Sequence, residues 1–262
     1  MIVIGELING MYKDVGKAIS KKETDLIQHL AVDQVKAGAN ILDVNMGPYT
    51  TDPKEDMKWL VESIQKVTDV PLSLDCSNID VIEGGLKLAK NRVVINSTSA
   101  DQDKMDRIFS LAKKYNSQVI ALTMDKAGVP NDKEKRVELA AVIVEKALEM
   151  GISMDDLYID PVLLPVNVAQ PQVSIAFEAI RDLKLISDPA PKSVIGLSNV
   201  SQRAKNRSLV NRTYLVMAMA NGLTAAILDP LDKELMDAMI TAELLLNKNI
   251  YCDSFLDAYR KR

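Results

Sequence analysis

Residues 38–47 read GANILDVNMG: a glycine able to end a helix, then the apolar run Ile41–Asn45 with Asp43 and Asn45 set into it. The same unit recurs along the chain, a short apolar run followed by a polar loop and a longer segment of helical period. The other runs are Ile2–Gly5, Pro71–Asp75, Arg92–Asn96, Gln118–Thr123, Leu157–Pro161, Ser193–Ser198 and Ala225–Pro230. Between the runs, periodicity predicts helices over about 24–38, 54–68, 79–90, 103–115, 133–150, 173–186, 203–221 and 232–246. Asp52 before Pro53 reads as an N-cap with proline at the first helical position, and Asp132 caps the fifth helix. Gly38 and Gly151 close the first and fifth. Strands alternating strictly with helices predict a parallel sheet with right-handed crossovers, and eight such units close a barrel. The expected fold is α/β, a single (β/α)8 TIM barrel domain over residues 1–262, with an open doubly wound sheet as the alternative.

Composition narrows the chemistry. The chain has 262 residues and 32 Lys+Arg against 36 Asp+Glu, a formal charge of −4 that gives no reason to expect nucleic acid or an anionic membrane. The single histidine, His29, excludes schemes that need two imidazoles, and most His-rich metal sites with them. The two cysteines, Cys76 and Cys252, are too few to hold an iron–sulfur cluster within one chain and fit a reducing cytoplasm. No run approaches the roughly 20 apolar residues of a membrane span, and MIVIGELING lacks the basic start of a signal peptide. No metal site is expected.

A barrel of this kind places its site at the C-terminal ends of the strands. The residues there are Glu6, Asp43, Asn45, Asp75, Asn96, Asp125, Asp160, Ser198, Asn199 and Asp229. Helix capping is the plainer explanation for some loop acids such as Asp52 and Asp232. It suits Asp75, Asn96 and Asp160 poorly, because better-placed caps or Pro161 follow them. A ring of acids and amides without histidine suits a polar, nitrogen-rich ligand. His29, mid-helix among Leu26, Leu30 and Ala31, reads as packing or surface; Trp59 reads as a helix–barrel anchor, and Cys76 as a thiol packed beneath the site. The methionines at 217, 219, 236 and 239 read as core or a helix interface.

Six segments in order, IGELIN (4–9), GANILDVNMG (38–47), LSLDCSN (72–78), VVINS (93–97), YIDP (158–161) and GLSNVS (196–201), resemble the pterin-binding family. That family includes dihydropteroate synthases, methyltetrahydrofolate methyltransferases and the folate domain of cobalamin-dependent methionine synthase. The motifs are most similar to the branch acting on methyltetrahydrofolate and a corrinoid/iron–sulfur protein. Asn45-Met46-Gly47 and Ser198-Asn199-Val200 stand where dihydropteroate synthases carry Gly-Glu-Ser and Ser-Arg/Lys stretches. Leu7 stands where methyltransferase relatives often have arginine.

The resemblance implies transfer of the N5-methyl group of methyltetrahydrofolate to the cobalt(I) of a corrinoid, in the acetyl-CoA pathway. Asn199 is the implied catalytic residue, since a neutral amide can donate to bare N5 or accept from protonated N5. Asp160 is implied to accept the pterin's paired N–H donors, with Asp75 and Asn96 on the remaining edge atoms. Gly196 would let the backbone approach the ring, and Ser198, Gln202 and Arg207 complete the implied substrate-binding set. Arg207 also reads as a solvated helix residue beside Arg203 and Lys205. Glu6, Asn9, Asp43 and Asn45 are supporting residues, balanced between ligand contact and scaffolding. No cofactor is expected to be covalently bound; methyltetrahydrofolate is the substrate, and the corrinoid rides on a partner protein, because His29 lacks the Asp-x-His-x-x-Gly context of a cobalamin carrier. A homodimer is expected as well. Two alternatives stay open, another pterin enzyme such as a dihydropteroate synthase, and a folate-binding barrel without catalysis.

Overall fold

In the computed structural model, which describes residues 1–48 and 50–260, the eight apolar runs form the parallel strands of a closed barrel. β1 (Ile2–Asn9) is followed by α1 (Lys13–Lys21) and α2 (Thr24–Lys36), β2 (Ile41–Asn45) by α3 (Pro53–Ile64), and β3 (Leu72–Asp75) by α4 (Ile79–Leu86). Then come β4 (Val94–Ser99), α5 (Gln102–Tyr115), β5 (Gln118–Leu122), α6 (Lys133–Glu149), β6 (Leu157–Asp160) and α7 (Val166–Leu183). β7 (Lys192–Gly196) leads through a 3-10 turn, Leu197–Asn199, to α8 (Arg207–Ala220), followed by β8 (Ala225–Leu228), α9 (Lys233–Leu245) and α10 (Phe255–Arg260). Each strand pairs with the next, and β1 closes the ring on β8 from Ile2 opposite Ala225 to Gly5 opposite Leu228.

Strand side chains alternate between faces, so residues two apart share one. Ile4, Ile41, Val94, Ile120, Tyr158, Val194 and Ala225 pack together as a buried cluster inside the barrel. Two positions on along the same strands stand Glu6, Asp43, Asn96, Leu122, Asp160, Gly196 and Ile227. The floor of the barrel is therefore a hydrocarbon plug and its mouth is largely polar. The opposite strand faces, including Leu42, Val44, Leu74, Ile95, Val119, Ile159 and Ile195, pack beneath the helices in the main core. Burying one such side chain contributes about 1.5–3 kcal/mol, which is why the short strands are apolar on both faces.

The ends of several elements depart from expectation for local reasons. β1 runs on to Asn9, past Gly5, because a register shift between Gly5 and Ile8 admits Glu6 into the strand. α1 was not expected; only Val15, Ala18 and Ile19 of its nine residues are buried, too short a stripe to read as a helix. α7 begins at Val166 rather than 173, breaks at Ala169 (φ −136°, ψ 45°) and continues with Pro171 in it. α8 begins at Arg207 rather than 203, because Arg203 and Asn206 adopt left-handed φ of 59° and 54°. Among the described residues no helix is long and apolar enough to cross a membrane.

Candidate active site

β2, β3 and β4 are in register at the mouth, with Asn45 opposite Asp75 and Asp75 opposite Asn96. Asn45 Nδ2 donates to Asp75 Oδ2 at 2.6 Å, while its Oδ1 accepts from the Gly47 N–H at 2.7 Å. One layer deeper, Asp43 Oδ1 accepts from the Ser73 hydroxyl at 2.6 Å and from Asn96 Nδ2 at 3.1 Å. Both amides have thus given an N–H to a carboxylate. Asp75 Oδ1 and Asn96 Oδ1 have no donor among the described residues and stay available as acceptors. Burial, then the neighbouring Asp75 charge, pushes the Asp43 carboxyl well above the usual range, and burial raises Asp75 as well. Asp43 is only 4% exposed, and its bond to Asn96 orients that amide.

Asp160 ends β6, level with Leu122. Its Oδ1 accepts from the Val162 N–H at 2.7 Å, and its Oδ2 has no donor among the described residues. Burial pushes this carboxyl up to about 7, against the pull of the Val162 hydrogen bond and the Arg136 charge.

Across the mouth, Ser198 donates its hydroxyl to Glu6 Oε1 at 2.6 Å. Burial holds Glu6 at about 7; the Ser198 bond lowers it, Asp229 raises it and Arg207 lowers it. Asn199 is exposed on the turn after β7, and its amide makes no hydrogen bond among the described residues. A Cβ at Gly196 would lie 2.9 Å from Asn199 Nδ2, so this glycine makes room for the amide of its own turn. Arg207 opens α8 with its Nε donating to Ser201 Oγ at 3.2 Å. It is exposed at the start of α8 and also lines a cavity of about 630 Å³ with Glu6, Ser198, Tyr12, Asn211 and Asp229. Gln202 is exposed, and its side chain has no hydrogen bond among the described residues.

Seven candidate residues therefore fall into two groups, Asp43, Asn45, Asp75 and Asn96 on one side, Glu6, Ser198 and Arg207 on the other, while Asp160, Asn199 and Gln202 bond to neither. Asn9 instead accepts from the Met11 N–H at 2.9 Å and shapes the turn into α1. Asp125 shapes a tight turn in the same way, through Ala127 at 2.8 Å. His29 is exposed on α2, Trp59 is half-buried with Lys22 Nζ 5.0 Å from its ring centroid, and burial raises the Cys76 thiol. Met219, Met236 and Met239 are buried, whereas Met217 is 49% exposed.

Two residues escaped notice in the sequence. Ser73 shares Asp75's strand face, two positions earlier, and period two alone identifies it. Arg136 lies on the buried stripe of α6 that continues through Leu139, Ala140 and Ile143, a charge on an apolar face.

Comparison with known proteins bears on the family of the chain. Residues 14–229 match the family model described as pterin binding enzyme. The methylcorrinoid:tetrahydrofolate methyltransferase of Eubacterium limosum is 30% identical over 266 residues, covering 100% of this chain and 97% of the relative. The methionine synthase of Mycobacterium leprae is 27% identical over 240 residues, 87% of this chain but only 20% of that longer protein. Among solved structures, Yersinia pestis DHPS with a pterine-sulfa conjugate superposes with a TM-score of 0.66 at 18% identity, covering 95% of this chain and 94% of its own, which supports the fold.

Proposed function

The chain belongs to the pterin-binding enzyme family, and from that membership we propose that it moves a methyl group between N5 of a tetrahydrofolate and the cobalt of a corrinoid carried by a partner protein. The observation that carries this reading is the set of unclaimed acceptors at Asp75, Asn96 and Asp160, together with the unpaired amide of Asn199. The pyrimidine edge of a pterin is rich in N–H donors, and the acceptors complement it. Asp160 takes the paired donors, Asp75 and Asn96 the rest, and Asn199 addresses N5. Asn45 and Asp43 hold this array in place; Glu6 and Ser198 anchor the turn that bears Asn199.

The expected direction runs from methyltetrahydrofolate to cobalt(I). Cobalt attacks the methyl carbon of protonated N5 and supplies both electrons of the new bond, becoming cobalt(III). The C–N pair stays on N5, which leaves as a neutral N–H amine. The Eubacterium limosum relative's name puts tetrahydrofolate on the accepting side. That is the same step reversed: N5 attacks the methyl on cobalt(III), the Co–C pair returns to cobalt, and N5 then releases its proton. Asn199 serves both directions because its amide follows N5 through the change of protonation without itself titrating. The partner within this proposal is a corrinoid/iron–sulfur protein, placing the reaction in the acetyl-CoA pathway, and the working unit is a homodimer.

Mixing the protein with methyltetrahydrofolate and cob(I)alamin, and separately with tetrahydrofolate and methylcobalamin, tests the reading by the cobalamin absorbance. Methyl transfer in either direction is the expected result. Pterin binding without transfer would make the chain a folate-binding barrel, and pteroate synthesis from p-aminobenzoate a synthase.

A further inference from the structure

Arg136 on α6 is fully buried, 0% exposed, and forms no ion pair among the described residues. A guanidinium in that position is stable only when its N–H groups are bonded. Its Nε donates to the Pro130 carbonyl at 3.1 Å, Nη1 to the Pro161 and Val162 carbonyls at 2.8 and 3.1 Å, and Nη2 to Gln172 Oε1 at 2.6 Å. Gln172 in turn donates to Asn131 Oδ1 at 2.7 Å. One side chain thereby joins the loop before α6, the turn after β6 and the body of α7.

The turn after β6 is the one that sets Asp160. Val162 adopts a left-handed φ of 61°, which a β-branched residue rarely does unless its surroundings hold it. It is held from both sides, its carbonyl by Arg136 and its N–H by Asp160 Oδ1. Further along, the Val166 N–H donates to the Val200 carbonyl at 2.9 Å, next to Asn199.

We propose that Arg136 is a positioning residue for the pterin site: it fixes the Pro161–Val162 turn that aims the Asp160 carboxylate, and it supplies that carboxylate's counter-charge. The inference rests on the pterin-binding reading of the mouth. Tyr214 of α8 feels both Asp160 and Arg136, and Asp132, at the start of α6, acts on Arg136. With Asp160 at about 7, an ionised acceptor forms as pH rises through that value, and pterin binding strengthens with it. Removing the Arg136 charge moves the transition to higher pH.

The test is pterin affinity against pH for the full chain, in wild type, Arg136→Met, Arg136→Lys and Gln172→Leu, with tetrahydrofolate as the ligand. In Arg136→Met the binding midpoint is expected to rise by about one pH unit, a loss of about tenfold in affinity below the wild-type midpoint. Arg136→Lys keeps the charge and loses the forked hydrogen bonds; it should keep the midpoint and bind several-fold more weakly at every pH. Gln172→Leu should also keep the midpoint. A folded Arg136→Met with wild-type midpoint and affinity overturns the proposal. If that variant does not fold, unchanged affinity in Arg136→Lys overturns it instead. If wild type binds no pterin, the functional reading fails by itself. The Asp160 titration, followed by carboxyl carbon NMR in wild type and the two Arg136 variants, still decides the role of Arg136: a shift in Arg136→Met, or in Arg136→Lys a displaced resonance with the midpoint kept, supports it, and an unchanged signal in both overturns it.

Discussion

The Ser198 hydroxyl donates to Glu6 Oε1 at 2.6 Å, tying the turn that carries Asn199 to the first strand of the barrel. Burial holds the Glu6 carboxyl at about 7, above its ordinary 4.5. Between those two values the folded chain keeps a proton that the unfolded chain has released, so this contribution to stability is complete below about 4.5 and is lost as pH rises through about 7. At about 1.4 kcal/mol per pH unit it amounts to about 3 kcal/mol. Glu6→Gln keeps an acceptor for Ser198 and removes the titration. Urea unfolding from about pH 5 to about pH 8 should therefore show a smaller fall in stability for the variant than for wild type; equal slopes would remove Glu6 as the source.

Asp160→Asn replaces one acceptor of paired N–H donors by a group with a single acceptor and a competing N–H. Pterin affinity should weaken by about 1–3 kcal/mol, about five- to 150-fold, and be felt in binding before turnover. Equilibrium binding beside the transfer rate at saturation separates the two. An effect confined to the saturated rate contradicts the role given to Asp160.

Asn199→Ala leaves the floor of the barrel and the Asp75–Asn96 side untouched. Methyl transfer should slow at least about tenfold, the loss of one interaction worth about 1.4 kcal/mol in the transition state, while pterin binding persists in part. Single-turnover measurement of the cobalamin spectrum gives the rate directly. A transfer rate equal to wild type under conditions where chemistry limits removes Asn199 from the mechanism.

Gly196 has φ −79° and ψ 90°, which alanine adopts without strain, yet a Cβ there would sit 2.9 Å from Asn199 Nδ2. Gly196→Ala should therefore fold normally and slow transfer by displacing the amide. Combined with Asn199→Ala it should add little, because both changes remove one contribution. Multiplicative losses in a double-mutant cycle would show that Gly196 acts elsewhere.

Much of this architecture can be read from period and punctuation. Strand ends at Asn45, Asp75 and Asp160 follow from short apolar runs, and the inward direction of Asp43, Asn96 and Asp160 follows from their spacing of two from Ile41, Val94 and Tyr158. What escaped depends on contacts far apart in the chain. Glu6 enters β1 through a register shift that pairing with β2 creates, and Ser198 meets it across 192 positions. α1 has only one short buried stripe, and its Gly16 packs so close to Gly10 that a Cβ would lie 2.7 Å from the Gly10 carbonyl oxygen. The start of α7 lies seven residues before the expected 173, because Pro165 and Pro171 interrupt the helical period there.

Because apolar and polar residues alternate in layers along the same strand faces, Ile4 beneath Glu6, Ile41 beneath Asp43 and Tyr158 beneath Asp160, the apolar plug of the barrel lies one layer below the residues that face a ligand. Single substitutions at the upper layer can change ligand preference while leaving the apolar plug below it in place. For protein engineers the upper positions are graft sites: a new constellation of donors and acceptors can be installed there without redesigning the interior.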